Sequence, residues 1–290
     1  MGTSILETLA LPFGYPFMVR GLLAAVMVGV VCAVVGTYVV LRGMAFLGSA
    51  LAHSILPGVA VGFLTSAGTG QRSLFWWALG TAVLAGLGIG AVSRRGRIRE
   101  DTAIGIVFAG MFALGIALIS TVRGFAGDLV HFLFGNVLGV SNWDLWLILA
   151  FGGLIVLLVI LFYKEFLVVS FDPTLAATLR LPTAFYQYLL LVLVAVAIVV
   201  SLQTVGVGLM LAMLVTPAST AYLLTKRLHR MMLLGGLFGA SSGVIGLYLS
   251  FYVQVASGAA IVLVAIAFFL IALAAAPVRK KLWRTRAKRT

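Results

Sequence analysis

The stretch FYQYLLLVLVAVAIVVSLQ, residues 185–203, contains no charged side chain and is close to the ~20 residues that a helix needs to cross a bilayer. Comparable runs recur at about 15–41, 45–65, 74–92, 102–121, 143–163, 205–225, 231–254 and 258–276. They are continuous and rich in Leu, Ala and Val, whereas strands of a membrane β-barrel alternate in polarity over ~10 residues. The sequence therefore predicts an all-α, polytopic membrane protein with eight or nine spanning helices.

Composition supports a membrane protein without a soluble domain. The 290 residues are 63% hydrophobic and only 9% charged, which a water-soluble fold does not tolerate. No polar domain interrupts the spans, so residues 1–276 are predicted to form a single transmembrane domain and residues 277–290 a basic cytoplasmic tail. No basic segment precedes the first apolar run, which indicates a retained helix and not a removable signal peptide.

The net charge of +13 is distributed unevenly between the two ends of the spans. If the spans alternate, one side carries Arg42, Arg94, Arg95, Arg97, Arg99, Lys164, Arg180, the run KRLHR at 226–230 and the tail RKKLWRTRAKR. The other side carries only Arg20, Arg72 and Arg123. By the positive-inside rule the first side is cytoplasmic. This predicts nine spans with the N-terminus outside and the C-terminus inside, and it argues against nucleic acid as a partner.

Two connections have features of their own. Residues 122–144 have an apolar centre too short to cross the bilayer and are predicted to form a re-entrant or interfacial helix. This segment is the reason that the predicted number of spanning helices is eight or nine. Residues 163–182 contain Asp172 followed by Pro173. An acidic N-cap with proline at the first helical position favours a helix start, so a short helix is predicted at the cytoplasmic surface.

Glycines recur at helical spacing in two spans. Gly86 and Gly90 form one pair, and Gly235, Gly239 and Gly243 follow one face of a later helix. Such faces let two helix backbones approach closely. The pattern fits either packing within one subunit or an interface between subunits.

The second span, FLGSALAHSILPG at 46–58, carries the main functional candidates. Ser49 and His53 are four residues apart and share one helix face. Pro57 lacks the N–H that would have bonded the carbonyl of His53. An ionisable residue inside a membrane is a functional candidate, and neutral imidazole binds transition metals. The alternative is that His53 bonds to a neighbouring helix and Pro57 only bends its own.

Other features limit the mechanism. Pro217, like Pro57, lacks a backbone N–H and leaves the carbonyl of Met213 without its helical donor. Such a proline is typical of helices that line transporter pathways. It is equally typical of a bent helix that only packs against its neighbours. The sequence has no Gly-Lys pair, so it lacks a P-loop for ATP. All seven acids lie at span ends or in loops, which argues against a proton- or sodium-coupled carrier.

Six collinear segments resemble one family, the ABC-3 permease subunits of bacterial ABC importers for zinc, manganese and iron. These segments are VLRGMAFLGSALAHSILPGVAVGFL (40–64), EDTAIGIVFAGMFALGIALIS (100–120), DLVHFLFGNVLGVS (128–141), FDPTLAATLRLP (171–182), VGVGLMLAMLVTPASTAYLLT (205–225) and GLYLSFYVQVASGAAIVLV (246–264). The resemblance implies a non-enzymatic permease of the type-II importer architecture in the bacterial plasma membrane. It also implies a homodimer, two cytoplasmic ATPase subunits, an extracytoplasmic metal-binding protein, and Zn, Mn or Fe as transported substrate with no bound cofactor.

The resemblance also assigns residues. The family's second span typically reads FLGDALSHAVLPG, whose Asp and His bind the translocating cation; here Ser49 takes the place of the Asp and His53 that of the His. Loss of the carboxylate removes a hard ligand that Mn²⁺ favours, whereas imidazole suits zinc. The helix of Asp172, Pro173, Thr174, Leu175, Ala176 and Ala177 looks like the family's ATPase-coupling helix. Two alternatives stay open, a related permease for a metal chelate or other small solute, and a membrane scaffold or receptor subunit.

Overall fold

The computed structural model describes residues 11–65, 71–96, 98–121, 137–171 and 173–286, and these residues contain helices and no strand. The α-helices are α1 Pro16–Leu41, α2 Leu47–Ser54, α3 Leu56–Thr65, α4 Gln71–Gly96, α5 Glu100–Ser120, α6 Asn142–Leu147, α7 Gly153–Leu161, α8 Tyr163–Phe171, α9 Pro173–Thr178, α10 Thr183–Val205, α11 Val207–Leu224, α12 Leu228–Val253 and α13 Ser257–Arg286. Short 3₁₀ turns cover Leu11–Gly14 and Val137–Gly139, and a π-helical turn, Ile148–Gly152, joins α6 to α7.

Nine helical segments within the described residues are long and apolar enough to cross a membrane. The second is the α2–α3 pair, Leu47–Thr65, and the fifth is α6 to α7, Asn142–Leu161. The predicted all-α membrane architecture is confirmed. The predicted re-entrant segment falls largely on residues 122–136, which lie outside the described part of the chain.

The centre of the bundle is α1, which packs against α10, α11 and α12. Its contact with α12 uses small residues on both helices: Ala25, Gly29 and Ala33 face Gly243, Gly239 and Gly235. At the closest point, a Cβ placed on Gly239 would lie 2.5 Å from the carbonyl oxygen of Gly29. The glycine face of the eighth span is therefore a packing surface within this chain.

The second glycine pair also packs within the chain. A Cβ on Gly86 would lie 3.2 Å from the carbonyl oxygen of Leu191, and one on Gly90 would meet the ring of Tyr188 at 2.6 Å. Both partners belong to α10. Both glycine faces therefore pack against helices of the same chain, which is the first of the two alternatives that the sequence left open.

A polar network ties three spans together at one end of the bundle. Arg42, which follows α1, pairs with Glu100 at the start of α5. The side-chain amide of Gln187 on α10 donates to the same carboxylate oxygen at 2.8 Å. Because the pair is largely buried, loss of either charge would leave the other without an oppositely charged partner, which is costly.

A single residue, Gly206, connects α10 to α11. Its φ of 80° lies in the region that residues with a Cβ rarely adopt. The Gly206 N–H donates to Leu202 at 2.8 Å, and its carbonyl accepts from Met210 at 3.0 Å. One helix therefore ends and the next begins at this glycine, and the sharp corner lies beside the site described next.

Candidate functional site

The second span is interrupted at Ile55, between α2 and α3. Pro57 cannot donate to the His53 carbonyl, and instead the N–H of Ile55 is directed at that oxygen. The ladder resumes when Val59 donates to the carbonyl of Ile55 at 3.0 Å. The break predicted from Pro57 thus lies within one turn of His53.

The imidazole of His53 is held from its own helix. Its Nδ1 lies 2.8 Å from the carbonyl oxygen of Ser49, one turn earlier. A carbonyl oxygen only accepts hydrogen bonds, so Nδ1 is the nitrogen that carries the proton. In neutral imidazole this leaves the lone pair on Nε2, the nitrogen available to a metal ion.

Two aromatic rings of α5 lie beside the imidazole. The ring centroid of His53 is 6.2 Å from that of Phe108 and 6.1 Å from that of Phe112, with interplanar angles of 77° and 73°. The two phenylalanine rings are 5.5 Å apart. Edge-to-face arrangements at these distances are favourable. The imidazole is therefore half-buried between its own helix and α5.

His53 also lines a groove of about 1120 Å³ at the surface of the bundle. The remaining wall comes from the turn Val137–Gly139, the corner around Gly206, the end of α12, its connection to α13 and the first two turns of α13. Most of these residues are apolar; Ser250 and Ser257 are the hydroxyl groups among them. The described wall of the groove is therefore mostly apolar and contains one imidazole.

The described residues contain no group of three or more His, Cys, Asp and Glu side chains that could hold a metal ion. Protein-bound transition metals usually have three or four protein ligands. Ser49, half-buried on the same helix, contributes its carbonyl to His53 and adds no carboxylate. A metal at His53 therefore needs ligands beyond those that the described residues group around it, such as water.

Pro217 lies away from this groove. Helix α11 continues through it, and its side chain is buried. Its carbonyl oxygen would be 3.6 Å from a Cβ on Gly235 of α12, so it lies at the α11–α12 contact. The structure thus places Pro57 beside His53 and places Pro217 in helix packing.

The short helix expected near Asp172 is α9, although Asp172 itself lies outside the described residues. Thr174 and Leu175 are exposed, whereas Ala176 is fully buried by its own chain. The helix ends with the N–H of Leu181 donating to the Ala176 carbonyl at 3.1 Å. The surface that α9 offers to another protein therefore contains Leu175 and not Ala176.

Sequence reasoning did not identify Phe108 and Phe112. They are separated by one helical turn in a span that is otherwise rich in Ala, Gly and Ile, and this spacing is the only signal in the sequence. Of the other histidines, His229 is exposed in the first turn of α12, and His131 lies outside the described residues.

The family model described as the ABC 3 transport family matches residues 14–276. The manganese transport system membrane protein MntC of Halalkalibacterium halodurans is 46% identical over 273 residues, which cover 93% of this chain and 92% of that protein. The chelated iron transport system membrane protein YfeD of Yersinia pestis is 37% identical over 262 residues, or 90% of this chain and 86% of that protein.

A solved structure has the same architecture. The structure of PsaBC from Streptococcus pneumoniae in complex with Fab contains a chain that is 40% identical, with a TM-score of 0.77. The match covers 92% of this chain and 95% of that one. The order and packing of the spans are thus shared over nearly the full length.

Proposed function

Because this chain belongs to the ABC 3 transport family, we propose that it is the membrane-spanning permease of an ATP-driven importer for a divalent transition-metal ion. The observation that carries the proposal is His53, whose Nε2 lone pair is available in the wall of a groove between membrane helices. The names of the relatives, which transport manganese or chelated iron, support a metal as the cargo.

Zinc, manganese and iron are the candidate cargoes. An imidazole suits zinc and iron, whereas manganese favours carboxylate oxygen, and the hydroxyl of Ser49 supplies no charge where the family resemblance leads one to expect a carboxylate. A metal chelate is the second candidate, because a chelator brings its own anionic ligands and YfeD is named for chelated iron. Bare-ion transport is favoured by the name of the more similar relative, a manganese system.

We propose that the working permease is a homodimer. Within the described residues, one copy offers a single imidazole to the groove and no group of three or more His, Cys, Asp and Glu side chains. A two-fold axis beside the groove would bring two copies of His53 and Ser49 to one pathway and double the ligands.

Further subunits are part of the proposal. The chain lacks a P-loop, so two cytoplasmic ATPase subunits supply the energy, and an extracytoplasmic metal-binding protein delivers the ion. The asymmetry of basic residues supports a plasma-membrane orientation with the N-terminus outside and the C-terminus in the cytoplasm. Arg42 and Glu100 then mark the cytoplasmic end of the bundle.

The test is transport by the reconstituted complex. Proteoliposomes that contain the permease, its ATPase and its binding protein are expected to take up Zn²⁺, Mn²⁺ or Fe²⁺ in an ATP-dependent, saturable way, and the transported ion should stimulate ATP hydrolysis. Uptake of each bare ion is compared with uptake of the same ion held by a chelator. Uptake of the chelate alone would replace the first proposal by the second, and no metal-dependent uptake of either form would contradict both.

The exposed face of α9 is proposed to dock onto the ATPase. Leu175 is 47% exposed and Leu179, just after the helix, is 57% exposed. The double variant Leu175→Glu/Leu179→Glu is expected to reduce uptake at least about tenfold, because docking would bury carboxylates without partners. Co-purification of the ATPase and ATP-driven uptake are the measurements.

Arg99→Glu is the matched control for this variant. Arg99 is highly exposed at the same end of the bundle, so its replacement introduces a carboxylate there without changing α9. Normal ATPase association and uptake in the double leucine variant would remove α9 from the coupling mechanism.

A further inference from the structure

We propose that Phe108 and Phe112 are positioning residues that hold the His53 imidazole in one orientation and one tautomer, with Nε2 presented to the transported ion. The inference rests on the proposed function of His53 and assigns a role to two side chains of a different span. Neither phenylalanine can ligate a metal; each acts through the histidine.

The hydrogen bond to Ser49 is not sufficient to fix the ring. A single bond from an imidazole N–H to a carbonyl is weak in net terms, and the ring can rotate about its side-chain bonds. Rotation by a half-turn would exchange Nδ1 with a carbon and redirect Nε2. The two phenylalanine rings, at 6.2 and 6.1 Å, lie where they restrict that rotation.

The rings are themselves held in place. Phe108 packs against Phe112 at 5.5 Å and, at an interplanar angle of 89°, against Phe46 just before α2. One turn beyond Phe112, a Cβ on Gly115 would lie 2.6 Å from Cβ of Leu56. The backbone of α5 therefore touches the helix break directly, which fixes its register relative to His53.

Groups that orient a metal-binding histidine determine its tautomer and its basicity, and their loss typically reduces metal affinity 10–100-fold. Most such groups are carboxylates or carbonyls that accept the second N–H. Here the carbonyl of Ser49 accepts that N–H, and the aromatic rings supply the lateral walls. Loss of the rings should therefore affect metal binding more than ATP hydrolysis.

The test uses the full-length permease with ¹⁵N-labelled histidine in lipid nanodiscs. His131→Asn and His229→Asn leave His53 as the single labelled histidine. The parent is expected to show one neutral tautomer, protonated at Nδ1, and Phe108→Leu/Phe112→Leu is expected to show exchange between two tautomers. In the assembled transporter, the same pair of changes should raise KM for the metal about tenfold.

Phe238→Leu is the matched control, since it removes one ring of a pair with Phe268 that includes no histidine. Phe108→Tyr/Phe112→Tyr keeps both rings and should retain the single tautomer, which covers the case in which the leucine variant fails to fold. An unchanged His53 spectrum in a folded leucine variant, or a second tautomer in the tyrosine variant, would overturn the inference. Failure of the metal-import proposal appears separately, as the absence of metal-dependent uptake by the parental complex, whereas the tautomer signal is read without transport.

Discussion

Metal-dependent uptake should be lost in His53→Ala, with a reduction of more than about 100-fold. Changes to groups that only orient a metal-binding histidine already cost 10–100-fold, and this variant removes the imidazole itself. The described residues of the groove wall around it are otherwise mostly apolar and include no carboxylate to replace the lost ligand. The measurement is uptake of radiolabelled zinc and manganese by proteoliposomes that contain the complete transporter.

His229→Ala is the matched control, because His229 is exposed at the start of α12 and does not line the groove. It should transport at the parental rate. Parental rates in His53→Ala, with the protein folded, would show that this histidine is a packing residue and that the metal pathway lies elsewhere.

The second large effect concerns folding. Gly239→Leu should prevent accumulation of folded permease, because even a Cβ at this position would lie 2.5 Å from the Gly29 carbonyl oxygen. The contact is between two backbones, so no flexible side chain can move aside. Gly239→Ala should lower stability by about 1–3 kcal/mol, the usual cost of overpacking. Thermal unfolding in detergent, followed by size-exclusion chromatography, measures both.

Gly80→Ala is the control for the alanine variant. Gly80 also lies within a spanning helix, α4, but a Cβ placed on it would meet no atom within 4 Å. Alanine is the better helix former there, so stability should stay the same or rise slightly. Equal unfolding temperatures for Gly239→Ala and Gly80→Ala would mean that α1 and α12 are less closely packed than described.

The positions of the spans could be predicted closely from the sequence. The apolar run at 45–65 corresponds to Leu47–Thr65 and the run at 185–203 to Thr183–Val205, because bilayer thickness and the cost of charge in lipid determine where a span starts and ends. The partners of each span could not be predicted. A glycine face indicates that another helix approaches closely, but it does not indicate which helix. Gly239 contacts Gly29, which is far from it in the sequence.

The candidate site was predictable only in its local part. The proximity of Ser49, His53 and Pro57 follows from helical spacing. The rings of Phe108 and Phe112 reach His53 through tertiary packing, which spacing within one segment does not contain. The two prolines show the same limit, since Pro57 accompanies a break whereas α11 continues through Pro217. Each proline removes one backbone hydrogen-bond donor from its helix. Packing against the surrounding helices determines whether that helix is interrupted.

The break at Ile55 has a consequence for biosynthesis. With 8 and 10 residues, α2 and α3 are only ~12 and ~15 Å long, so neither can cross a ~30 Å hydrocarbon layer alone. The carbonyl of His53 lacks its helical donor at Pro57, and a backbone group without a partner is costly in lipid. The helices that cover the break, α4 and α5, are translated later. The nascent second span should therefore stay at the translocon until residue 120 has left the ribosome. The first four spans would then be released into the bilayer together.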